Sequence, residues 1–246
     1  MIDLETRKAV QELASDYWRE RVKTPEFRAM ASGKEIGHRI ADYVDEHTAA
    51  KLFAELDVKH EVDNAGRVLA RSMGDLWLKS SGIYNPVNVK AGIVTTGQPN
   101  LVSLTKLLDR LLAHQIDSYD LLIVKMSIPG VSDDAGSADE GSTPADIGCA
   151  VHFVDMLDFL DHVTFDAGPG QVMLKEREFY PALESGYRPS ERGLPEKVTA
   201  CMDLMEDGIA RLLKNREKRM VKLRAEVKAF MDGGAFVVNQ SELRLG

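Results

Sequence analysis

Residues 74–103 constrain this chain more than any other stretch. The run Gly74-Asp-Leu-Trp-Leu-Lys-Ser-Ser-Gly-Ile-Tyr-Asn-Pro-Val-Asn-Val-Lys90 reads as two short strands joined by a turn at Ser81-Gly82. The first strand carries Asp75, and the second carries Asn88 and Lys90, two residues apart. Residues i and i+2 of a strand share a face. Asn88 and Lys90 therefore project together, and the hairpin brings Asp75 beside them. An acid, a second oxygen ligand and a lysine in that arrangement suit metal-dependent phosphodiester hydrolysis. The oxygens hold Mg²⁺, and the lysine positions or activates the attacking water.

The pattern around this hairpin predicts an α/β chain. A helix is expected from about Asp3 to Arg21, where Leu4, Val10, Leu13, Ala14 and Trp18 fall near a helical period. A second begins near Gly33, capped by Ser32, and runs through Ile36, Ile40, Tyr43 and Val44; Ala49 to Leu56 continues helically after a break. Lys59–Val62 reads as a strand, followed by strands near 74–80, 85–91 and 119–127, with a helix over 101–114 between the last two. Hairpin, crossover helix and strand together make an α/β core. Further strands are expected at Cys149–Phe153, Val163–Phe165 and Val172–Leu174, and Leu194 to about Met231 reads as one long helix or two broken near Gly208. Residues 129–146 are rich in Gly, Ser and acids, which predicts a flexible acidic surface loop within a single domain, 1–246, rather than a boundary.

Composition excludes several classes. With 44% hydrophobic and 28% charged residues, the chain has material for an ordinary globular core. No apolar run approaches the ~20 residues needed to span a bilayer, and the N-terminal Met-Ile-Asp-Leu-Glu has no apolar core of a signal peptide. Cys149 and Cys201 make neither a disulfide framework nor a metal spacing, so a reducing, cytoplasmic setting is expected. The histidines, His38, His47, His60, His114, His152 and His162, show no ligand spacing, and neither Gly-x-Ser-x-Gly nor a phosphate-binding glycine loop occurs. The net charge of −8 counts against nonspecific phosphate attraction. Its distribution softens the objection. Asp133, Asp134, Asp139, Glu140 and Asp146 cluster without a base, whereas Lys214, Arg216, Lys218, Arg219, Lys222, Arg224 and Lys228 face only Glu217 and Glu226. Met220, Leu223 and Val227 share that basic stretch at helical spacing, which predicts one face packed inward and the bases solvated.

The Asp75…Asn88-Val89-Lys90 pattern, followed by Gly97-Gln-Pro-Asn and an aliphatic helix, resembles the type II restriction endonucleases of the PD-(D/E)xK superfamily, HincII/EcoRV-like. A strand after Asp117-Ser-Tyr-Asp fits the same likeness, which is specific over roughly residues 70–125. It implies a central mixed sheet flanked by helices, with N- and C-terminal helical regions. The implied activity is Mg²⁺-dependent, sequence-specific hydrolysis of double-stranded DNA at a short palindromic site by a homodimer, as part of a restriction-modification system. The implied metal ligands are Asp75, Asn88 and the Val89 carbonyl, with Lys90 orienting water. The implied DNA contacts are Thr95, Thr96, Gly97, Gln98, Asn100 and Ser103, Asn100 reading a base edge.

One residue departs from the pattern. The family places Asp or Glu where this chain has Asn88, whose amide oxygen still suits a hard cation but brings no charge. Another carboxylate filling in, or a decayed nuclease that still binds DNA, are both open, as is a repair or nicking enzyme of the same fold. Glu35 is the candidate for the missing charge, against the plainer reading that it lies on a solvated helix face. Asn100 has its own plain alternative, an N-cap for a helix starting at Leu101.

Overall fold

A computed structural model describes residues 2–31, 36–70, 72–80, 82–93, 100–128, 147–185 and 192–232. The expected hairpin is its centre. Strand β2 (Leu76–Ser80) pairs antiparallel with β3 (Ile83–Ile93), Ser80 opposite Ile83. Gly82 in the connecting turn has φ +86°, a conformation glycine adopts without steric cost. The chain then crosses over through a short strand, β4 (Asn100–Ser103), and a helix, α4 (Leu104–Leu112). It returns as β5 (Asp120–Ser127), parallel to β3. Strand β6 (Gly148–Asp155) lies antiparallel on the far side of β5, and β1 (Val58–Lys59) edges β2, giving the order β1-β2-β3-β5-β6. A second sheet has the order β4-β8-β7, with β7 at Val163–Asp166 and β8 at Gln171–Leu174. The fold is mixed α/β, a mixed central sheet flanked by helices, and among the described residues no helix is long and apolar enough to cross a membrane.

Alternation along β5 explains the two layers. Leu122, Val124 and Met126 enter one core; Leu121 and Ile123 enter the other, and all five are buried. The first core is closed by helices α1 (Leu4–Arg21), α2 (Pro25–Ala31) and α3 (Ile36–Glu55) through Val10, Trp18, Phe27, Ile40, Val44 and Leu52. The second is closed by α4, α5 (Glu176–Glu184), the small sheet and the start of α6 (Leu194–Met231).

Several expectations are corrected. The region expected to be helical from residue 101 begins as β4, because Val102 pairs with Val172 of β8, a partner some seventy residues away that local pattern does not reveal. The helix cap is Ser103, whose hydroxyl accepts from the Lys106 N–H at 3.4 Å, so Asn100 is not the cap. Helix α3 runs without the expected break, since Thr48 faces inward and its hydroxyl accepts from the Trp18 indole N–H at 2.9 Å. Helix α2 was not expected, although Thr24 and Pro25 are a cap and a first-turn proline; Thr24 Oγ1 accepts from the Phe27 N–H at 3.3 Å. The expected Lys59–Val62 strand reduces to Val58–Lys59 and an isolated bridge between Val62 and Val68. Helix α6 is continuous through Gly208, and Met220, Leu223 and Val227 are exposed instead of packed inward. The acidic loop 129–146 lies outside the described residues.

Charged groups hold the layers together from inside. Asp120 and Asp155 are register partners at the end of β5 and β6, and both are fully buried. Arg7 of α1 reaches Asp120 at 2.7 Å, and Ser118 Oγ donates to the same carboxylate at 2.6 Å. From the opposite face, Lys197 of α6 reaches Asp155 at 3.0 Å and Asp158 at 2.5 Å. Burial pulls the Lys197 ammonium down, but Asp155 and Asp158 outweigh it and hold the group above its ordinary value. Removing one partner of such a pair leaves an uncompensated buried charge. Lys197→Met is therefore expected to cost about 3–5 kcal/mol of stability near neutral pH. The loss should shrink below about pH 4, where Asp155 is protonated in both folded and unfolded chains. Urea denaturation across pH checks both.

Candidate functional site

Strand β3 outruns its hairpin partner. Leu76, the first residue of β2, lies opposite Val87, so from Asn88 to Ile93 β3 keeps β5 on one flank and has no β2 residue on the other. The chain entering β2 occupies that flank. The Asp75 N–H donates to Val87 O at 2.9 Å, and the Asp75 carboxylate accepts from the Val89 N–H at 2.7 Å. A side-chain oxygen thus continues the ladder where a backbone carbonyl is missing. The approach requires Gly74: a Cβ there would lie 2.9 Å from both Val87 N and Val87 O.

The side chains of β3 divide by parity, as the sequence predicts. Val87 and Val89 enter the core beneath α3, whereas Asn88 turns to the other core, where its Nδ2 donates to the Tyr119 hydroxyl at 3.2 Å. Tyr119 is fully buried and lies 3.0 Å from both Met73 O and Leu101 O. One phenol thereby ties the segment before Asp75, the strand β4 and Asn88 to β5. Asn88 Oδ1 is buried with no hydrogen-bond partner among the described residues.

Helix α3 packs across β3 and brings a group that sequence reasoning missed. Asp45 is half-buried, a backbone hydrogen bond from Ala91 reaches its carboxylate, and its Oδ1 has no partner among the described residues. Burial pushes its carboxyl up to about 7; Lys90 opposes the shift, while the charges of Asp75 and Asp42 add to it. Asp45 therefore feels the charges of both Lys90 and Asp75 at one strand end. The available signal was an acid beside the buried Val44 and three residues before the buried Thr48, but nothing local shows that this helix docks on β3.

The other expected residues fare differently. Glu35, Thr95, Thr96, Gly97 and Gln98 lie outside the described residues. Asn100 is exposed at the start of β4, opposite Met173, and Ser103 caps α4. The Val89 side chain is buried in the core beneath α3, and its N–H is committed to Asp75. Neither cysteine is poised as a nucleophile, since burial pushes the thiol of Cys149 up to about 11 and that of Cys201 up to about 12.

Among the described residues no group of three or more His, Cys, Asp or Glu side chains is gathered to hold a metal. The donors here are two carboxylates, Asp45 and Asp75, with one oxygen of Asp45 left without a donor among the described residues; Asn88 lies on the opposite face of β3. That set fits Mg²⁺, which takes one or two carboxylates and keeps several waters. No protein-family model matches the chain, and no curated protein is significantly similar to it.

The shift at Asp45 has a stability signature. Its proton is held to about 7 in the folded chain and only in the ordinary carboxylate range when unfolded. The associated stability is complete below the unfolded value and lost as the pH rises through about 7. Asp45→Asn removes the ionisation. It is expected to stabilise the protein by about 1–2 kcal/mol at about pH 8, allowing for screening by solvent, and to make no difference at about pH 3. Thermal unfolding at the two pH values measures this.

Proposed function

We propose that the protein is a Mg²⁺-dependent type II site-specific deoxyribonuclease, a restriction endonuclease acting as a homodimer on double-stranded DNA at a short palindromic site. The observation that carries this reading is the convergence of Asp75, Lys90 and Asp45 at the open end of β3. Asp45 supplies the negative charge that Asn88 lacks, so the acid count expected of such a site is restored from a helix.

In this reading Asp45 and Asp75 hold the cation, while Asn88, turned to the opposite face of β3, braces the strand through Tyr119. A bound Mg²⁺ would polarise the scissile phosphate and acidify a water. Lys90 is half-buried on the same strand, and its ammonium orients the attacking water and offsets charge developing at the phosphate. Two-fold symmetry of the protein would match that of a palindrome, each protomer cutting one strand. The exposed Asn100 on β4 is free of a capping role and suits contact with a base edge.

Incubating the protein and Mg²⁺ with phage DNA should give discrete bands. Asp75→Ala should abolish cleavage while leaving DNA binding largely intact, and Lys90→Ala should slow it by ~10²-fold or more. Wild-type rates in either variant would overturn the assignment.

One observation favours a second reading, a DNA-binding protein with a decayed nuclease site. Asn88 is turned to Tyr119 and commits its Nδ2 there, a structural use that needs no metal. Cleavage with Mg²⁺ present separates the two. An active enzyme cuts the DNA it binds, whereas a decayed one binds DNA without cutting.

A further inference from the structure

Helix α6 has two unlike halves. The first lies on the body: Lys197 and Cys201 are buried, Gly208 meets Phe165, and Arg211 donates to Thr164 Oγ1 at 3.0 Å. Beyond Arg211 no residue up to Asp232 is buried. This half projects roughly 30 Å from the body at 1.5 Å per residue. It is not a plain solvated helix, because Leu213, Met220, Leu223 and Val227 are 61%, 49%, 48% and 53% exposed. Together with Ile209, Arg216 and Phe230 they recur at alternating steps of four and three, the seam of a two-stranded coiled coil. A helix that only bound nucleic acid would need the bases but not this seam.

We propose that this half of α6 is a dimerisation arm that pairs antiparallel with the same segment of a second copy of the chain. Charge decides both the partner and the direction. The positions flanking the seam are Glu217, Arg219, Arg224 and Glu226. A parallel pair sets Arg219 against the partner's Arg224, like against like. An antiparallel pair that stacks Met220 on the partner's Leu223 sets Glu217 beside the partner's Arg224 and Arg219 beside the partner's Glu226. The two-fold axis repeats each attraction. Within one chain Glu226 meets Lys222 of its own helix, at 3.9 Å on the surface, a contact of little strength that the cross-pair replaces. In the same register Leu213 meets the partner's Phe230, and Arg216 meets the partner's Val227, a polar layer that the two-fold axis repeats and that fixes alignment. The arm names the surface for a homodimer but stands on α6 alone, not on the chemistry read at β3.

The test is the mass of the full chain by light scattering on a sizing column, over a wide range of concentration. The expected result is twice the 27.3 kDa chain mass, falling to the monomer on dilution. Leu223→Glu should give a monomer with an unchanged circular dichroism spectrum. Arg224→Glu should weaken the dimer about tenfold, because it faces the partner's Glu217, and adding Glu217→Arg should restore it. Tightening by Arg224→Glu alone would mean a parallel arm and overturn the proposal. So would a monomeric wild type, a dimer indifferent to Leu223→Glu, or a variant that keeps its mass and loses duplex-DNA binding.

Discussion

Two carboxylates side by side in the dark of the protein, Asp120 and Asp155, are the constraint on which the rest depends. Burial pushes both up, and the charge of Asp155 raises Asp120 further. Cations delivered from outside the sheet offset this, and they come from opposite layers, Arg7 from α1 and Lys197 from α6. Asp155 also accepts from the Tyr119 and Leu157 N–H groups at 3.3 and 3.0 Å, so its second oxygen is satisfied as well. Hydrophobic burial would tolerate some sliding of helices over the sheet. A buried charge does not, because each ångström of misplacement leaves it without its counterion. The N-terminal helix and the long C-terminal helix are thereby registered to the same point of β5 and β6.

From that point the architecture runs to the candidate site through one residue. Tyr119 precedes β5, its N–H meets Asp155, and its hydroxyl reaches Asn88, Met73 O and Leu101 O. The charge cluster and the strand end that carries Lys90 are thus joined by one rigid side chain. A phenol has a single proton, so it donates to one of the two carbonyls at a time while accepting from Asn88.

What was legible in the sequence was local. The hairpin is written in two short apolar-rich runs around a Ser-Gly turn, and it places Asp75 against β3 as read. The run Leu121–Val124 is apolar throughout because both faces of β5 are covered, and that too is visible in a string of letters. Non-local pairings were not. Strand β4 exists only because β8 returns beside it, and Asp45 matters only because α3 crosses β3. For Asn88 the sequence showed a missing charge, while the reason for an amide is a buried phenol that takes a hydrogen bond from it. The apolar stripe of α6 was also visible, but the assumption that it packs on its own body was wrong, since periodicity reports a face and not what covers it.

The short reach of β2 has one more effect. On the flank that β2 leaves, no strand among the described residues pairs with β3 beyond Val87, and a bare strand edge recruits other strands. The Asp75 carboxylate sits on the Val89 N–H, the first donor such a stranger would seek, and brings a negative charge to the spot. The residue proposed as a metal ligand thus also suits a gatekeeper's part against edge-to-edge aggregation. Any substitution there is expected to act on colloidal behaviour, so solubility must be read beside whatever activity is assayed.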